Sequence, residues 1–274
     1  YRMKAKLVGE GRTAEIWQHD DQRILKLYRE DIAEQHVSRE YKISRFVHAR
    51  GVRTPQPFEL ITEQNRQGIV FQQIQGPSLL KVMGEKPWKV TQYARLMAGL
   101  HCDLHKLETT EEIGQQKDML KSQIMVAPML SEEEKSVILK YLEKLPEGTR
   151  LCHGDFHPDN VLMDEQLWVI DWMTGVVGEP AGDAARSVVM FSLGAMPPGA
   201  SAFSKLMLGF IRKRLTKGYI QEYLRLSGHT YEDVDRWILP IAAARLVEGL
   251  SPPEKELLVK EVRKRLHTLA AEVS

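Results

Sequence analysis

The stretch Leu151-Cys152-His153-Gly154-Asp155-Phe156-His157-Pro158-Asp159-Asn160-Val161-Leu162, continued by Met163 and then by Trp168-Val169-Ile170-Asp171-Trp172, decides how this chain is read. It is a short polar island among apolar elements, the kind of loop on which chemistry tends to sit. Val161-Leu162-Met163 and Trp168-Val169-Ile170 are two apolar triplets, and residues 164–167 between them are turn-like. Folding the pair as a hairpin about the Glu165/Gln166 midpoint sets Met163 against Trp168, Leu162 against Val169 and Val161 against Ile170. The next pair outward is Asn160 with Asp171. Directly opposed residues have Cβ atoms roughly 5 Å apart. An amide oxygen and a carboxylate are thus expected together at the open end of a hairpin. Such a pair suits a hard divalent cation such as Mg²⁺, which takes a few protein oxygens and fills the rest with water and phosphate. Asp155, on the loop feeding this end, is placed to accept a proton from a hydroxyl. Taken singly, Asp155 and Asp159 also read as loop-capping carboxylates and Asn160 as a turn residue. The spaced set with Asp171 favours chemistry over capping.

The chain around this island has 274 residues, enough for one large domain or two modest ones. Hydrophobic residues make up 43% and charged residues 27%, an ordinary globular balance. Lys and Arg number 38 against 37 Asp and Glu. That balance argues against a nucleic-acid binder with a broad basic surface and against a membrane-surface binder. No apolar run reaches the roughly 18 residues of a spanning helix, and Tyr1-Arg2-Met3-Lys4 has no apolar core like a signal peptide's. With Cys102 and Cys152 as the only cysteines, a reduced, cytoplasmic protein is expected.

Toward the N-terminus, Lys6 to Val8, Ala14 to Gln18 and Arg23 to Tyr28 read as a three-stranded antiparallel meander, broken by Gly9-Glu10-Gly11 and by Asp20-Asp21. A helix is expected over Asp31 to Arg50, stopped by Gly51. Two more strands follow, Phe58 to Thr62 and Gly68 to Gln72. Ile74-Gln75-Gly76-Pro77 is a natural joint. Beyond Ser78 the pattern is helical. Val90 to Leu107 carries Tyr93, Leu96, Met97, Leu100 and Leu104 at helical spacing, and Ser131 with Glu134 forms a capping-box signature ahead of a helix to Leu145. Further helices are expected near Asp183–Leu193, Ser201–Leu226, Tyr231–Leu250 and Pro253–Ala271. The predicted architecture is α+β, with a small lobe over 1–75 and a larger helical lobe over 76–274.

His153-Gly154-Asp155, four further residues to Asn160, and then Ile170-Asp171 resemble the catalytic core of the aminoglycoside phosphotransferase/choline kinase-like family. Protein kinases use a related H-R-D-x-x-x-x-N and D-F-G pair. Here Gly154 and Trp172 stand where that Arg and Phe would be. Choline kinases usually carry Asn at the position of Gly154, which brings this chain nearer the aminoglycoside-phosphotransferase branch. The resemblance extends over nearly the whole chain. It implies a bilobal protein-kinase-like fold and a Mg²⁺-dependent enzyme that moves the γ-phosphate of ATP or GTP to a hydroxyl of a small molecule, antibiotic or metabolite. Asp155 would be the catalytic base, and Asn160 and Asp171 the metal ligands. Gly9 and Gly11 would belong to a phosphate-covering loop, with Ala14 where a third glycine often falls. Lys26, within the apolar run Ile24-Leu25-Lys26-Leu27, would reach the α and β phosphates.

Glu40 is the implied partner of Lys26. It lies on an apolar stripe with Ala33, Val37, Ser44 and Val47, where an unpaired carboxylate is costly. Glu34, or a surface pairing of Glu40 with Lys42 or Arg45, is the alternative. Gln72, Gln73 and Ile74 resemble a hinge whose backbone meets the purine. His101 and His105, at i and i+4, have metal-ligand spacing but read better as core histidines under the catalytic loop. Cys152 has no base arrangement of a nucleophile. His153, Asp183 and Arg186 are expected to support the loop, and Trp168 and Trp172 to lie in the core. A Ser/Thr protein kinase is disfavoured, because the A-P-E sequence and a long activation segment are lacking before Asp183. A nucleotide-binding pseudokinase or regulatory protein without transfer activity is the remaining alternative. Aminoglycosides are polycations that need carboxylate-lined pockets. Residues 181–274 carry 14 Lys and Arg against 10 Asp and Glu, with local acidity at Glu232, Asp233, Asp235 and Glu248. A macrolide, a sugar or an amino alcohol is therefore also open as acceptor.

Overall fold

The structure, a computed structural model, describes residues 6–109 and 113–273; Tyr1-Arg2-Met3-Lys4 lies outside the described residues. In chain order the elements are β1 (Leu7–Glu10), β2 (Ala14–Gln18), β3 (Arg23–Tyr28), α1 (Glu34–Ala49), β4 (Pro57–Glu63), β5 (Arg66–Gln72), α2 (Leu79–Glu85), α3 (Val90–His105), α4 (Gln116–Met125), α5 (Glu132–Lys144), β6 (Arg150–Cys152), β7 (Val161–Met163), β8 (Leu167–Val169), β9 (Val176–Gly178), α6 (Pro180–Ser192), α7 (Ala202–Ser227), α8 (Tyr231–Asp235), α9 (Ile238–Ala244) and α10 (Pro252–Val273). No helix of the described residues is long and apolar enough to cross a membrane. Cys102 and Cys152 are free and buried.

The chain forms two compact units. The first runs to Lys81 and takes back Asp159–Gly175; the second is Val82–Pro158 with Val176–Ser274. The division differs from a single break at 75/76. The 161–169 hairpin makes backbone bonds within the first unit: the Met163 amide donates to Pro77 O at 2.9 Å and the Val169 amide to Arg53 O at 2.9 Å. Gly76 permits the close approach. A Cβ there would sit 2.2 Å from Met163 O, a backbone atom that cannot swing aside. Gly76→Ala is therefore expected to cost about 1–3 kcal/mol. Thermal melts check this, and an unchanged Tm would show that the hairpin shifts at no cost.

The first unit is built on a five-stranded antiparallel sheet of order β1-β2-β3-β5-β4. The meander expected from the sequence is its first half. The β4–β5 hairpin turns at Gln64 and Asn65, both in the left-handed region at φ 53° and 61°, the geometry of a two-residue turn matched to sheet twist. Strand alternation sends Leu25 and Leu27 to one face, packed with Val70, Trp17 and Ile61. Ile24 and Tyr28 go to the other, packed with Val37 of α1, Ile69 and Phe71. Lys26 shares the parity of Ile24 and Tyr28.

The second unit is mostly helical. Its α5 begins at the capping box read from sequence: Ser131 Oγ accepts from the Glu134 amide at 3.1 Å and the Ser131 amide donates to Glu134 Oε2 at 2.8 Å. The single helix expected over Tyr231–Leu250 is instead α8, α9 and a 3-10 turn at Arg245–Val247. Pro240 explains the break, since proline lacks an amide donor and fits only the first turn of a helix. α1 starts at Glu34 rather than Asp31, with Ala33 as its extended N-cap. On α3, Tyr93, Met97 and Leu104 are buried as expected, whereas Leu96 is exposed.

Candidate active site

In the first unit, the hairpin pairs Val161 with Val169, Leu162 with Trp168 and Met163 with Leu167. The register is one residue away from that expected, so Asn160 does not face Asp171. Its carbonyl accepts instead from the Ile170 amide at 3.0 Å. The cause lies in the turn. Asp164 Oδ1 accepts from the Gln166 amide at 2.7 Å and from Trp168 Nε1 at 3.1 Å, and the Asp164 amide donates to Gln166 O at 3.1 Å. Asx bonding of this kind closes a shorter turn than residues 164–167 suggest. Asp171 lies just past the paired strand with φ +66°, a left-handed backbone that Asp and Asn tolerate better than most residues.

Lys26 Nζ lies 2.7 Å from Glu40 Oε1 and 3.3 Å from Asp171 Oδ1. Glu40 is 1% exposed, and its second oxygen accepts a hydrogen bond from Tyr28 Oη. Tyr28 and Lys26 lie two residues apart on β3, so both reach the same carboxylate from one face. Burial works against the Lys26 ammonium, yet Asp171 and Glu40 outweigh it and hold its pKa above the usual lysine value. Burial likewise raises Glu40 against the pull of Lys26, as expected for a desolvated pair. Arg39 adds a clamp that sequence reasoning missed: from α1 it donates to Met173 O at 3.2 Å and Gly175 O at 2.5 Å, fixing the backbone after Asp171. Trp172 is buried, its Nε1 bonded to Thr54 Oγ1 at 3.1 Å, whereas Trp168 is half-buried.

Gly9 and Gly11 flank the β1–β2 turn, where the Gly11 amide donates to Ala14 O at 2.8 Å. Neither is left-handed, and a Cβ on either would meet its neighbours at ordinary contact distance. The fold itself therefore does not require glycine at these positions. The Gln72 and Gln73 amides donate to Gln56 O and Gln22 O, each at 2.8 Å. Ile74 lies two residues past the last strand residue, Gln72.

In the second unit, Gly154 has φ +78°, which explains a glycine between His153 and Asp155. Asp183 on α6 holds this turn, accepting from the His153 amide at 2.7 Å and the Gly154 amide at 2.9 Å. The same carboxylate meets His101 Nε2 at 2.9 Å and His105 Nε2 at 3.0 Å, and their Nδ1 atoms meet Tyr219 Oη at 2.6 Å and Tyr223 Oη at 2.9 Å. The tertiary fold thus supplies the third ligand-type group, Asp183, that sequence spacing did not reveal. An ionised carboxylate only accepts, so both Nε2 atoms donate, and in the neutral His101 ring Nδ1 accepts from Tyr219 Oη. All four ring nitrogens are engaged in a hydrogen-bond network, and the histidines are structural. Asp183 is held well below the usual carboxylate range; its burial is outweighed by His101 and His105.

Burial, reinforced by His105, pushes His101 down to about 3. Between about pH 6.5 and 3 the unfolded chain therefore binds a proton that folded His101 refuses. Stability should fall as the pH drops below about 6.5, by up to about 1.4 kcal/mol per pH unit. Thermal melts at pH 7.5 and 5 check the sign. His101→Gln should flatten that slope, and equal Tm values in the native chain at both pH values would show that His101 titrates normally.

Asp155 Oδ1 lies 3.4 Å from Arg186 Nη2, and Oδ2 lies 3.4 Å from His157 Nε2. Its amide donates to His153 Nδ1 at 3.2 Å. Burial alone would raise Asp155; the His157 hydrogen bond and the Arg186 charge outweigh it and keep the carboxyl well below its usual range. Arg186, expected only to support the loop, thus touches the candidate base itself.

A five-stranded sheet carrying a Lys–Glu pair, followed by helices and a His-Gly-Asp loop, defines a kinase-like small-molecule phosphotransferase. The profile of the "Phosphotransferase enzyme family" matches residues 4–228, and the chain belongs to that family. An aminoglycoside-3'-phosphotransferase of type VIII is similar in structure at TM-score 0.60 and 16% identity, covering 88% of this chain and 93% of that one. The GDP and kanamycin complex of APH(2")-IIia is similar at TM-score 0.59 and 14% identity, covering 97% and 94%. The macrolide 2'-phosphotransferase MphH from Brachybacterium faecium is similar at TM-score 0.53 and 17% identity, covering 89% and 83%. At these identities the likeness is one of fold. Acyl-CoA dehydrogenase family member 10 of Mus musculus is 22% identical over 216 residues, 69% of this chain; the chain spans 20% of that relative's length.

Proposed function

We propose that the chain transfers the γ-phosphoryl group of ATP or GTP to a hydroxyl of a small molecule, with Mg²⁺. The observation that carries this reading is Lys26, held between the buried Glu40 and Asp171. A lysine so fixed is a point charge for phosphate oxygens, and a Lys–Glu pair recurs in kinase sites. The glycines at 9 and 11, which the fold does not itself require, leave backbone open to close approach by phosphate. Ile74 and the carbonyls near it would meet the purine, since the Gln72 and Gln73 amides are engaged within the protein.

Asn160 and Asp171 offer hard oxygens, Asn160 buried and the Asp171 side chain 33% exposed, a donor set that fits Mg²⁺. Bound there, the ion would neutralise charge on the nucleotide phosphates. Asp155 orients the acceptor hydroxyl and takes its proton as the new O–P bond forms and the bond to the leaving diphosphate breaks. Such transfer depends chiefly on positioning. The acceptor is expected to be less cationic than an aminoglycoside, because three of the four acidic residues singled out in the C-terminal part, Asp233, Asp235 and Glu248, are tied to the chain's own cations. Asp235 pairs with Arg265 at 2.9 Å, Asp233 with Arg236 at 2.8 Å and Glu248 with Arg186 at 2.7 Å.

The test is product formation by mass spectrometry after incubation with Mg²⁺, ATP or GTP and pooled aminoglycosides, macrolides, sugars, amino alcohols and nucleosides. A gain of one phosphate, absent in Asp155→Asn, is expected. Nucleotide binding without transfer to any pool would favour a regulatory nucleotide binder, and failure to bind nucleotide would overturn the proposal.

A further inference from the structure

We propose that Arg186 and Glu248 form a clamp that fixes the Asp155 carboxylate, with Arg186 as a positioning residue for phosphoryl transfer; this rests on the function proposed above. Arg186 projects from α6 with its side chain 12% exposed, and its Nη2 meets Asp155 Oδ1 at 3.4 Å and Glu248 Oε1 at 2.7 Å. The contacts are unequal, and the inequality is informative. Glu248 holds the guanidinium closely while Asp155 borrows it at longer range. Glu248 is itself anchored, its Oε2 accepting from Arg245 Nε at 3.2 Å, and Arg245 Nη2 lies 3.7 Å from Glu254. Charges thus alternate along Asp155, Arg186, Glu248, Arg245 and Glu254. Among the described residues, Arg186 Nε is buried with no hydrogen-bond partner.

The arrangement does two things for a base whose task is orientation. An arginine confined by Glu248 cannot swing away, so the rotamer of Asp155 is held through Oδ1. The charge also keeps Asp155 ionised, ready to accept the hydroxyl proton. The charged and titratable groups facing Asp155 are His153 and His157 from its own loop and Arg186 from α6, with Glu248 behind Arg186. Glu248 therefore tempers the pull of Arg186, and removing either residue should move Asp155 in opposite directions.

Arg186→Met, Arg186→Lys and Glu248→Gln test the clamp, with melting temperature as the folding control. In Arg186→Met, kcat should fall by about 10²-fold, the scale of a misplaced reacting group, with KM for the nucleotide within about twofold. The acidic limb of kcat should move up by about one unit or more, since an opposite charge at this range lowers a carboxyl by about 1–3 units. Arg186→Lys should restore the limb in part. Glu248→Gln should lower kcat and move the limb down. Unchanged kcat and pH profile in Arg186→Met would overturn the clamp. So would raised activity, which would mean that Arg186 restrains the base, or a raised nucleotide KM with kcat kept, which would mean that it binds phosphate. The Asp155 carboxyl, labelled with ¹³C and assigned with Asp155→Asn, supplies a readout without turnover. If the native chain transfers no phosphate, the function proposal fails by itself. The clamp then stands or falls on whether the Asp155 titration moves up in Arg186→Met and down in Glu248→Gln.

Discussion

Asp155→Asn is expected to lower kcat by at least about 10²–10⁴-fold, the usual worth of general acid–base assistance, while nucleotide still binds. The substitution is isosteric. It leaves the Asp155 amide bonded to His153 Nδ1 and the Gly154 and His153 amides bonded to Asp183, so the loop keeps its shape. What it removes is the negative charge facing Arg186 and His157 and the lone pair that would take the hydroxyl proton. Single-turnover measurements separate this loss from binding. Turnover within tenfold of the native enzyme would remove Asp155 from the mechanism.

Replacing Asp171 should be comparably severe, at about 10²–10³-fold or more in kcat, the scale seen when one group that stabilises transition-state charge is lost. The choice of variant matters. At φ +66° an alanine adds a backbone cost of about 1–2 kcal/mol that asparagine mostly avoids. Asp171→Asn therefore isolates the charge, and Asp171→Ala should abolish metal-dependent turnover with some added instability. Lys26 keeps Glu40 at 2.7 Å in either case, so no buried ammonium is left unpaired. Removing Glu40 would leave Lys26 with Asp171 alone at 3.3 Å and take the acceptor from Tyr28 Oη, a more destabilising change. A Mg²⁺ titration in Asp171→Asn should require more ion for half-maximal rate. The same half-saturation as in the native chain would place the metal elsewhere.

The sequence was most legible where local rules act alone. The apolar stripe on α1 marked Glu40 as a carboxylate in need of a partner, and the family resemblance supplied Lys26. The Ser131/Glu134 box and the proline and glycine turns marked element ends by chemistry that spans a few residues. Tyr28 was not singled out, because a tyrosine in an apolar strand carries no sign of the carboxylate it serves. Arg39 and Arg186 escaped for a related reason: their partners, Met173 O, Gly175 O, Asp155 and Glu248, are far away in sequence or are backbone atoms.

The hairpin register failed differently. Its midpoint was inferred from apolar triplets alone, whereas the Asp164 side chain closes a shorter turn and moves the pairing by one residue. By itself, then, the sequence determined the α+β order of elements, since periodicity and turn chemistry are local, and its spaced His153-Gly154-Asp155, Asn160 and Asp171 carried the resemblance to the family. Only the tertiary structure decided which groups share a hydrogen bond: Asp183 beneath the His-Gly-Asp loop with two histidines, Tyr28 on Glu40, and Arg186 between Asp155 and Glu248. Those pairings form when distant segments are buried together and each desolvated charge or donor must find a partner.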